Sequence, residues 1–255
     1  MLRPYRQRMS FADHFSKQSC DYARYRPGYP KALFDWLRTL TPAHEVAWDV
    51  GTGNGQAAVE LAGFFPRVVA TDPSTEQIKN AIARANVSYH VQAAEKSDLA
   101  DRSVDLITVA QALHWFDFER FYPEVKRVLK PNGVFAAWTY TLNQVSPEVD
   151  AVVRHYYQDI VGPYWPAERK FIDESYRTIP FPLQEIQAPP IRMQTQWSLS
   201  DYIGYLHTWS ATQRFQQTHL KNPVEEIAAS LSSAWGEHAQ RTILWPIHMR
   251  VGCVR

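Results

Sequence analysis

The chain has 255 residues, a formal net charge of +1, and 45% hydrophobic against 21% charged residues. This is the length of one large α/β domain, or of a domain with a cap, and it suffices for a full core. The near-neutral balance and the lack of a basic run argue against a polyanion, so no nucleic-acid partner is expected. Two cysteines, Cys20 and Cys253, make neither a disulfide framework nor a zinc site, and no metal is expected.

No stretch approaches the roughly 18 apolar residues of a membrane span, so no membrane partner is expected. The basic opening, Met1 to Arg8, is not followed by an apolar segment; no signal peptide is read, and a cytoplasmic location is expected. The oligomeric state is not legible. Nine Trp, 13 Tyr and 12 Phe fill a core and leave a surplus to line a pocket for a flat or apolar molecule.

In chain order, residues 1–40 read as an arm with lid helices. A short helix is predicted up to about Tyr25, then a turn at Pro27 and Pro30. Ala32, Leu33, Trp36, Leu37 and Leu40 next form a helical stripe that Thr41-Pro42 ends. Residues 41–140 alternate strands (45–50, 67–72, 87–92, 104–110, 133–139) with helical patterns. Ser74-Thr-Glu-Gln77 predicts a capping box opening a helix over 75–85. Phe118, Phe121, Tyr122, Val125, Val128 and Leu129 have helical spacing. Repeated βα units predict a doubly wound parallel sheet. Residues 141–255 break that rhythm, with six prolines between 163 and 190. A strand is expected over 191–197, a helix over 200–215, a helix start at Asn222-Pro223-Val-Glu225 with a stop at Gly236, and a last strand over 243–254. This part reads as a helical cap plus the last two strands of the same sheet.

The ligand signal lies at residues 46–55. An apolar run reaches Asp49, and Gly51, Gly53 and Gly55 then lead into a helix. A strand turning into a helix N-terminus suits a ligand held by backbone N–H groups. Two ligands fit. Gly53-x-Gly55-x-x-Ala58 with Asp72 matches a dinucleotide fingerprint. Asp49 on the strand repels pyrophosphate and favours a cationic nucleoside, whose ribose Asp72 would accept.

Taken together, Asp49–Gly55, Val69-Ala-Thr-Asp72-Pro73-Ser, Gln92-Ala-Ala94-Glu95, Asp105-Leu-Ile-Thr-Val-Ala-Gln111-Ala-Leu-His114-Trp-Phe and Leu129-Lys-Pro-Asn-Gly133 resemble the class I S-adenosylmethionine-dependent methyltransferases. The resemblance implies an α/β, Rossmann-like, seven-stranded sheet, mostly parallel with an antiparallel last strand, plus a helical cap. It implies S-adenosyl-L-methionine as cofactor, held by Asp49, Gly51, Thr52, Gly53, Asp72, Pro73, Ala94, Glu95 and Gln111. Tyr22-x-x-x-Arg26-Pro-x-Tyr-Pro30, His114-Trp-Phe-Asp117 and Tyr205-x-x-Thr-Trp-Ser210 resemble the branch that includes the trans-aconitate methyltransferases. That branch implies a small-molecule substrate, often methylated at a carboxylate. Arg26 and Tyr22 would bind the cofactor's methionine end, and His114 would be the catalytic residue, as base or as hydrogen-bond donor to the acceptor. A nucleic-acid or protein methyltransferase, a non-catalytic cofactor-binding module and a dehydrogenase are the competing readings.

Overall fold

The computed structural model describes Tyr25 and residues 27–254. Tyr22 and Arg26, expected at the methionine end of the cofactor, lie outside the described residues.

Five parallel strands form the scaffold: β1 (Val46–Val50), β2 (Arg67–Asp72), β3 (Val87–Val91), β4 (Val104–Ala110) and β5 (Leu129–Tyr140). They lie in the order β3-β2-β1-β4-β5 and are extended by the antiparallel β8 (Arg241–Cys253). Successive side chains of these strands point to opposite faces, so each strand feeds two cores. Ala47, Val68, Ala70, Leu106, Ala136 and Trp138 join one cluster. Trp48, Val69, Ile107, Phe135 and Ala137 join the other. Helices α1 (Lys31–Leu40), α2 (Gln56–Leu61) and α3 (Thr75–Lys79) precede β1, β2 and β3, and α4 (Phe118–Val128) precedes β5. The stripe predicted for α4 buries Phe121, Tyr122, Val125 and Val128; Leu129 already belongs to β5.

The sheet has eight strands where seven were expected. The far edge of β8 is shared by β6 (Gln184–Ile186) and β7 (Ile191–Trp197), both antiparallel to it. Pro189 and Pro190 lie between them, and a residue without an N–H cannot continue the ladder. One edge strand is therefore broken in two.

Two helices also differ from expectation. α3 stops at Lys79, not near 85, because the chain turns back and the Ile82 N–H donates to the Asn54 carbonyl at 3.0 Å. The helix expected over 200–215 is two helices, α7 (Leu199–His207) and α8 (Ser210–His219), separated at Thr208-Trp209. The carbonyls freed at the break are taken by side chains: Thr208 Oγ1 donates to Tyr205, Thr212 Oγ1 to Leu206 and Gln213 Nε2 to His207. The cap further comprises α5 (Pro147–His155), α6 (Arg169–Asp173) and α9 (Ala228–Trp235). Trp165 and Arg169, beside and on α6, share one cavity with the chain that follows β4 and β5, so the cap covers the carboxyl edge of the sheet.

Candidate active site

The turn after β1 is pinned from below. The Thr52 N–H donates to the Thr71 carbonyl and the Gly55 N–H to the Thr52 carbonyl, both at 3.0 Å. Gly51 and Gly55 have φ of +66° and +90°. A Cβ on Gly51 would lie 2.5 Å from that of Ala112, and one on Gly55 would lie 2.2 Å from the Tyr89 hydroxyl. Packing therefore demands glycine at both positions. Gly53 is different: the nearest atom to a Cβ there is Gln77 Oε1 at 3.8 Å, so this backbone is open to a ligand.

Asp49 is fully buried. Its Oδ2 accepts from Thr52 Oγ1 at 2.5 Å and its Oδ1 from Thr108 Oγ1 at 2.6 Å. Burial pushes its pKa up to about 6; the two hydroxyls oppose the rise and neighbouring Asp72 adds to it. The carboxylate offers no oxygen to the cleft. It fixes the loop and holds a buried acid beneath it.

Asp72 closes β2 and is nearly buried. Its Oδ2 accepts from the Gly53 N–H and its Oδ1 from the Ser74 N–H, each at 2.9 Å. It ties the glycine turn to α3, and Pro73 beside it is exposed. Ala94 is buried in the core cluster with Trp48 and Ala112. Glu95 is half-buried, and its Oε1 accepts from the Asp117 N–H at 3.0 Å at the entrance to α4. No lysine or arginine occurs between residues 46 and 66, so the turn itself carries no cation for a phosphate. An acid-flanked, open-backed turn fits an unphosphorylated, cationic nucleoside.

Beyond β4 the chain bends at Gln111, which has a φ of +58°. Its N–H donates to the Trp138 carbonyl and its Oε1 accepts from Thr139 Oγ1, both at 2.9 Å. A short 3-10 turn, Leu113–Trp115, then carries His114. His114 is nearly buried, with Nδ1 2.8 Å from the Tyr176 hydroxyl. Burial, aided by Arg169, depresses its pKa to about 3, so the ring is neutral at ordinary pH.

Gln111 and His114 open into a cavity under the cap, walled by Trp115, Tyr140, Trp165 and Trp209. Arg169 lines it too. Its guanidinium carbon sits 4.3 Å from the centre of the Trp165 ring, and its Nε donates to the Tyr157 hydroxyl at 2.7 Å. Its terminal amino groups make no hydrogen bond among the described residues, and the side chain is only 20% exposed. Sequence reading missed Arg169, Tyr176 and Thr139. The first two lie in the proline-rich stretch, where no periodicity marks an inward-facing side chain. Tyr202, Tyr205 and Trp209 are buried; Tyr205 and Trp209 also reach the cavity. Among the described residues no cluster could hold a metal ion, and no helix is long and apolar enough to cross a membrane.

Fold and turn together define a nucleoside-cofactor-binding α/β domain with a second, capped cavity beside it. Residues 48–137 match the family model described as a methyltransferase domain. A Dictyostelium discoideum protein named "Putative methyltransferase" is 37% identical over 98% of both chains. An uncharacterized methyltransferase of Mycobacterium tuberculosis is 42% identical over 44% of this chain and 46% of its own. The solved structure of a "Putative Type II Methyltransferase" from Anaeromyxobacter dehalogenans superposes with a TM-score of 0.84. It is 45% identical and covers 89% of this chain and 97% of its own. The chain belongs to the class I S-adenosylmethionine-dependent methyltransferases. Bound S-adenosylmethionine supplies an electrophilic methyl group on a sulfonium. The protein's own task is to bind it, align an acceptor with the methyl group and keep water out.

Proposed function

We propose that the enzyme methylates a small-molecule acceptor bearing a carboxylate, bound in the cavity between His114 and the cap. The observation that carries this reading is Arg169: its guanidinium is stacked on Trp165, its Nε is shared by Tyr157 and Asp173, and its terminal amino groups are uncommitted among the described residues. A planar fork held this way suits a carboxylate. The flat aromatic walls and the enclosure by the cap favour a small molecule over a polymer. Trp115 from one motif of the trans-aconitate-like branch and Tyr205, Thr208, Trp209 and Ser210 from another line this single cavity, which supports membership of that branch.

In this reading Asp72 accepts the cofactor's ribose hydroxyls, Thr52, Gly51 and Gly53 present the turn, and Pro73, Ala94 and Glu95 border the adenine. Gln111 stands between cofactor and acceptor. Asp49 acts through its charge. Arg26 and Tyr22 remain the proposed partners of the methionine end. His114 contacts the acceptor. The test is a homocysteine-release assay against small carboxylic acids, phenols and amines. Acids should give the highest kcat/KM, and Arg169→Gln should raise their KM about tenfold or more with little change for neutral acceptors. Preference for amines would overturn the reading. So would a lack of turnover with S-adenosylhomocysteine binding intact, which points to a cofactor-binding module.

A further inference from the structure

Arg169 faces the cavity with only part of its guanidinium engaged, and the groups behind it explain why. A guanidinium only donates, so Arg169 Nε donates to the Tyr157 hydroxyl, 2.7 Å away. A carboxylate only accepts, so the Tyr157 hydroxyl donates in turn to Asp173 Oδ1, at 2.5 Å. The direction of both bonds is therefore fixed by the groups at the two ends. Burial holds the Tyr157 hydroxyl above its ordinary range, so it stays protonated. Asp173 itself reaches the guanidinium only at Nε, at 3.3 Å.

That restraint needs a cause. Arg169 and Asp173 stand four residues apart on α6, the spacing at which a guanidinium and a carboxylate close on each other. The favoured geometry for such a pair is fork to fork, through two N–H groups. The Asp173 side chain is 47% exposed, so packing does not hold it back. What stands between the two is the Tyr157 hydroxyl on Oδ1. Rings complete the frame: the guanidinium carbon lies 4.3 Å from the centre of the Trp165 ring and 5.1 Å from that of Tyr157. Tyr157 arrives here on a π turn, Tyr156–Ile160, that continues α5 and closes with the Val161 N–H donating to the Tyr156 carbonyl at 3.0 Å. Turns of this kind are rare and frequent at functional sites. On this one the neighbours Tyr156 and Tyr157 both pack against Trp209, with ring centres 5.8 Å apart in each case.

From these contacts we infer that Tyr157 is a positioning residue that sets specificity: its hydroxyl screens Arg169 from Asp173 and so keeps the terminal amino groups open for the carboxylate of the acceptor. The inference rests on Arg169 binding that carboxylate and deepens the reading. Tyr157 does not line the cavity itself; it acts through Arg169. Without the hydroxyl, the Asp173 carboxylate would take the fork. An acceptor would then compete with a carboxylate tethered one helical turn away, whose effective concentration is high. With the hydroxyl in place, Nε is committed and the plane of the guanidinium is set by Trp165. The acceptor meets a fork already oriented, and less freedom is lost when it binds.

The test uses the full chain and the homocysteine-release assay, with benzoate, cinnamate, fumarate and succinate as acids. Tyr157→Phe should raise the KM of the acids about tenfold, keep their kcat within about twofold and leave S-adenosylhomocysteine binding unchanged. Adding Asp173→Asn to Tyr157→Phe should bring that KM back to within about threefold of the wild type, because an amide does not compete for the fork. A merely structural role for Tyr157 predicts no such rescue, and its absence overturns the inference. So does an acid KM unmoved by Tyr157→Phe; in both cases the carboxylate reading stands. Turnover of none of the acids by the wild type overturns that reading and the inference with it. Arginine side-chain 15N spectra of the ligand-free protein, with Arg169 assigned by its loss in Arg169→Lys, give a readout independent of any acceptor. Rotation of its terminal amino groups should slow in Tyr157→Phe, as Asp173 grips them, and recover in the double variant. An unchanged Arg169 signature overturns the inference. Should Tyr157→Phe fail to fold, Asp173→Asn alone decides. Removing the competing charge should lower the KM of the acids severalfold, and a KM that rises or does not move overturns the inference.

Discussion

On the proposed reading, Asp49 couples binding of the cationic cofactor to pH. A cation over the turn favours the ionised carboxylate, whose pKa burial has raised to about 6. Affinity for S-adenosylmethionine is then full above that value and falls as pH drops through it, by about tenfold from pH 7 to pH 5. Calorimetry across this range checks the trend, and Asp49→Asn should flatten it. The stability effect has the opposite sign. The folded pKa lies above the 3.8 of an ordinary aspartate, so the contribution of this group is fully present below 3.8 and lost as pH rises through about 6. In the proposed reading Asp72 serves ligand and loop at once. Asp72→Ala should weaken S-adenosylhomocysteine binding roughly tenfold to a hundredfold, since bonds to a charged acceptor carry about 1.5–3 kcal/mol. Asp72→Asn, which keeps one acceptor, should lose less in the same titration.

At the scale of the element, the glycine turn separates folding from binding. Gly51→Ala meets both a φ of +66° and a 2.5 Å clash with Ala112. It should destabilise the protein by about 2 kcal/mol or more in urea unfolding. Gly53→Ala has a φ of +57° but open space around its Cβ. Its cost in the same experiment should be about 1 kcal/mol, while cofactor affinity falls further because the methyl group fills the ligand's approach. Equal losses in both measurements for the two variants would contradict this division. The break at Thr208-Trp209 shows a different economy. No proline or glycine interrupts the sequence there, and side-chain hydroxyls take the freed carbonyls instead. The bend turns Trp209 into the cavity wall.

For the whole molecule, the cofactor turn on one side of the sheet edge and the cap on the other are joined through β4, β5 and Gln111. Ligand on the turn should therefore stabilise the full chain as a unit. Saturation with S-adenosylhomocysteine at a hundred times its Kd contributes about 2.7 kcal/mol, or roughly 5–10 °C in Tm by calorimetry. The rise should shrink to about 0.4–1.4 kcal/mol in Asp72→Ala at the same concentration. A shift confined to one of two separate transitions would show that the cap unfolds on its own.

The parallel core was legible because its signals are local. A buried run such as Leu106 to Ala110 reads as a strand, and Gly51 and Gly55 mark the turn that their φ values require. The order of motifs from Asp49 to Gly133 then pointed to the cofactor. The substrate side was not legible in the same way. Arg169, Tyr176 and Thr139 are separated in sequence from His114 and Gln111 and carry no spacing signature; only the packing of the cap against the sheet edge brings them together. The broken edge strand and the split helix were likewise decided by tertiary contacts. Backbone periodicity and turn chemistry thus determined the sheet and its nucleoside turn from sequence alone. The acceptor cavity, and the protonation of the histidine in it, depend on long-range contacts that only the folded chain contains.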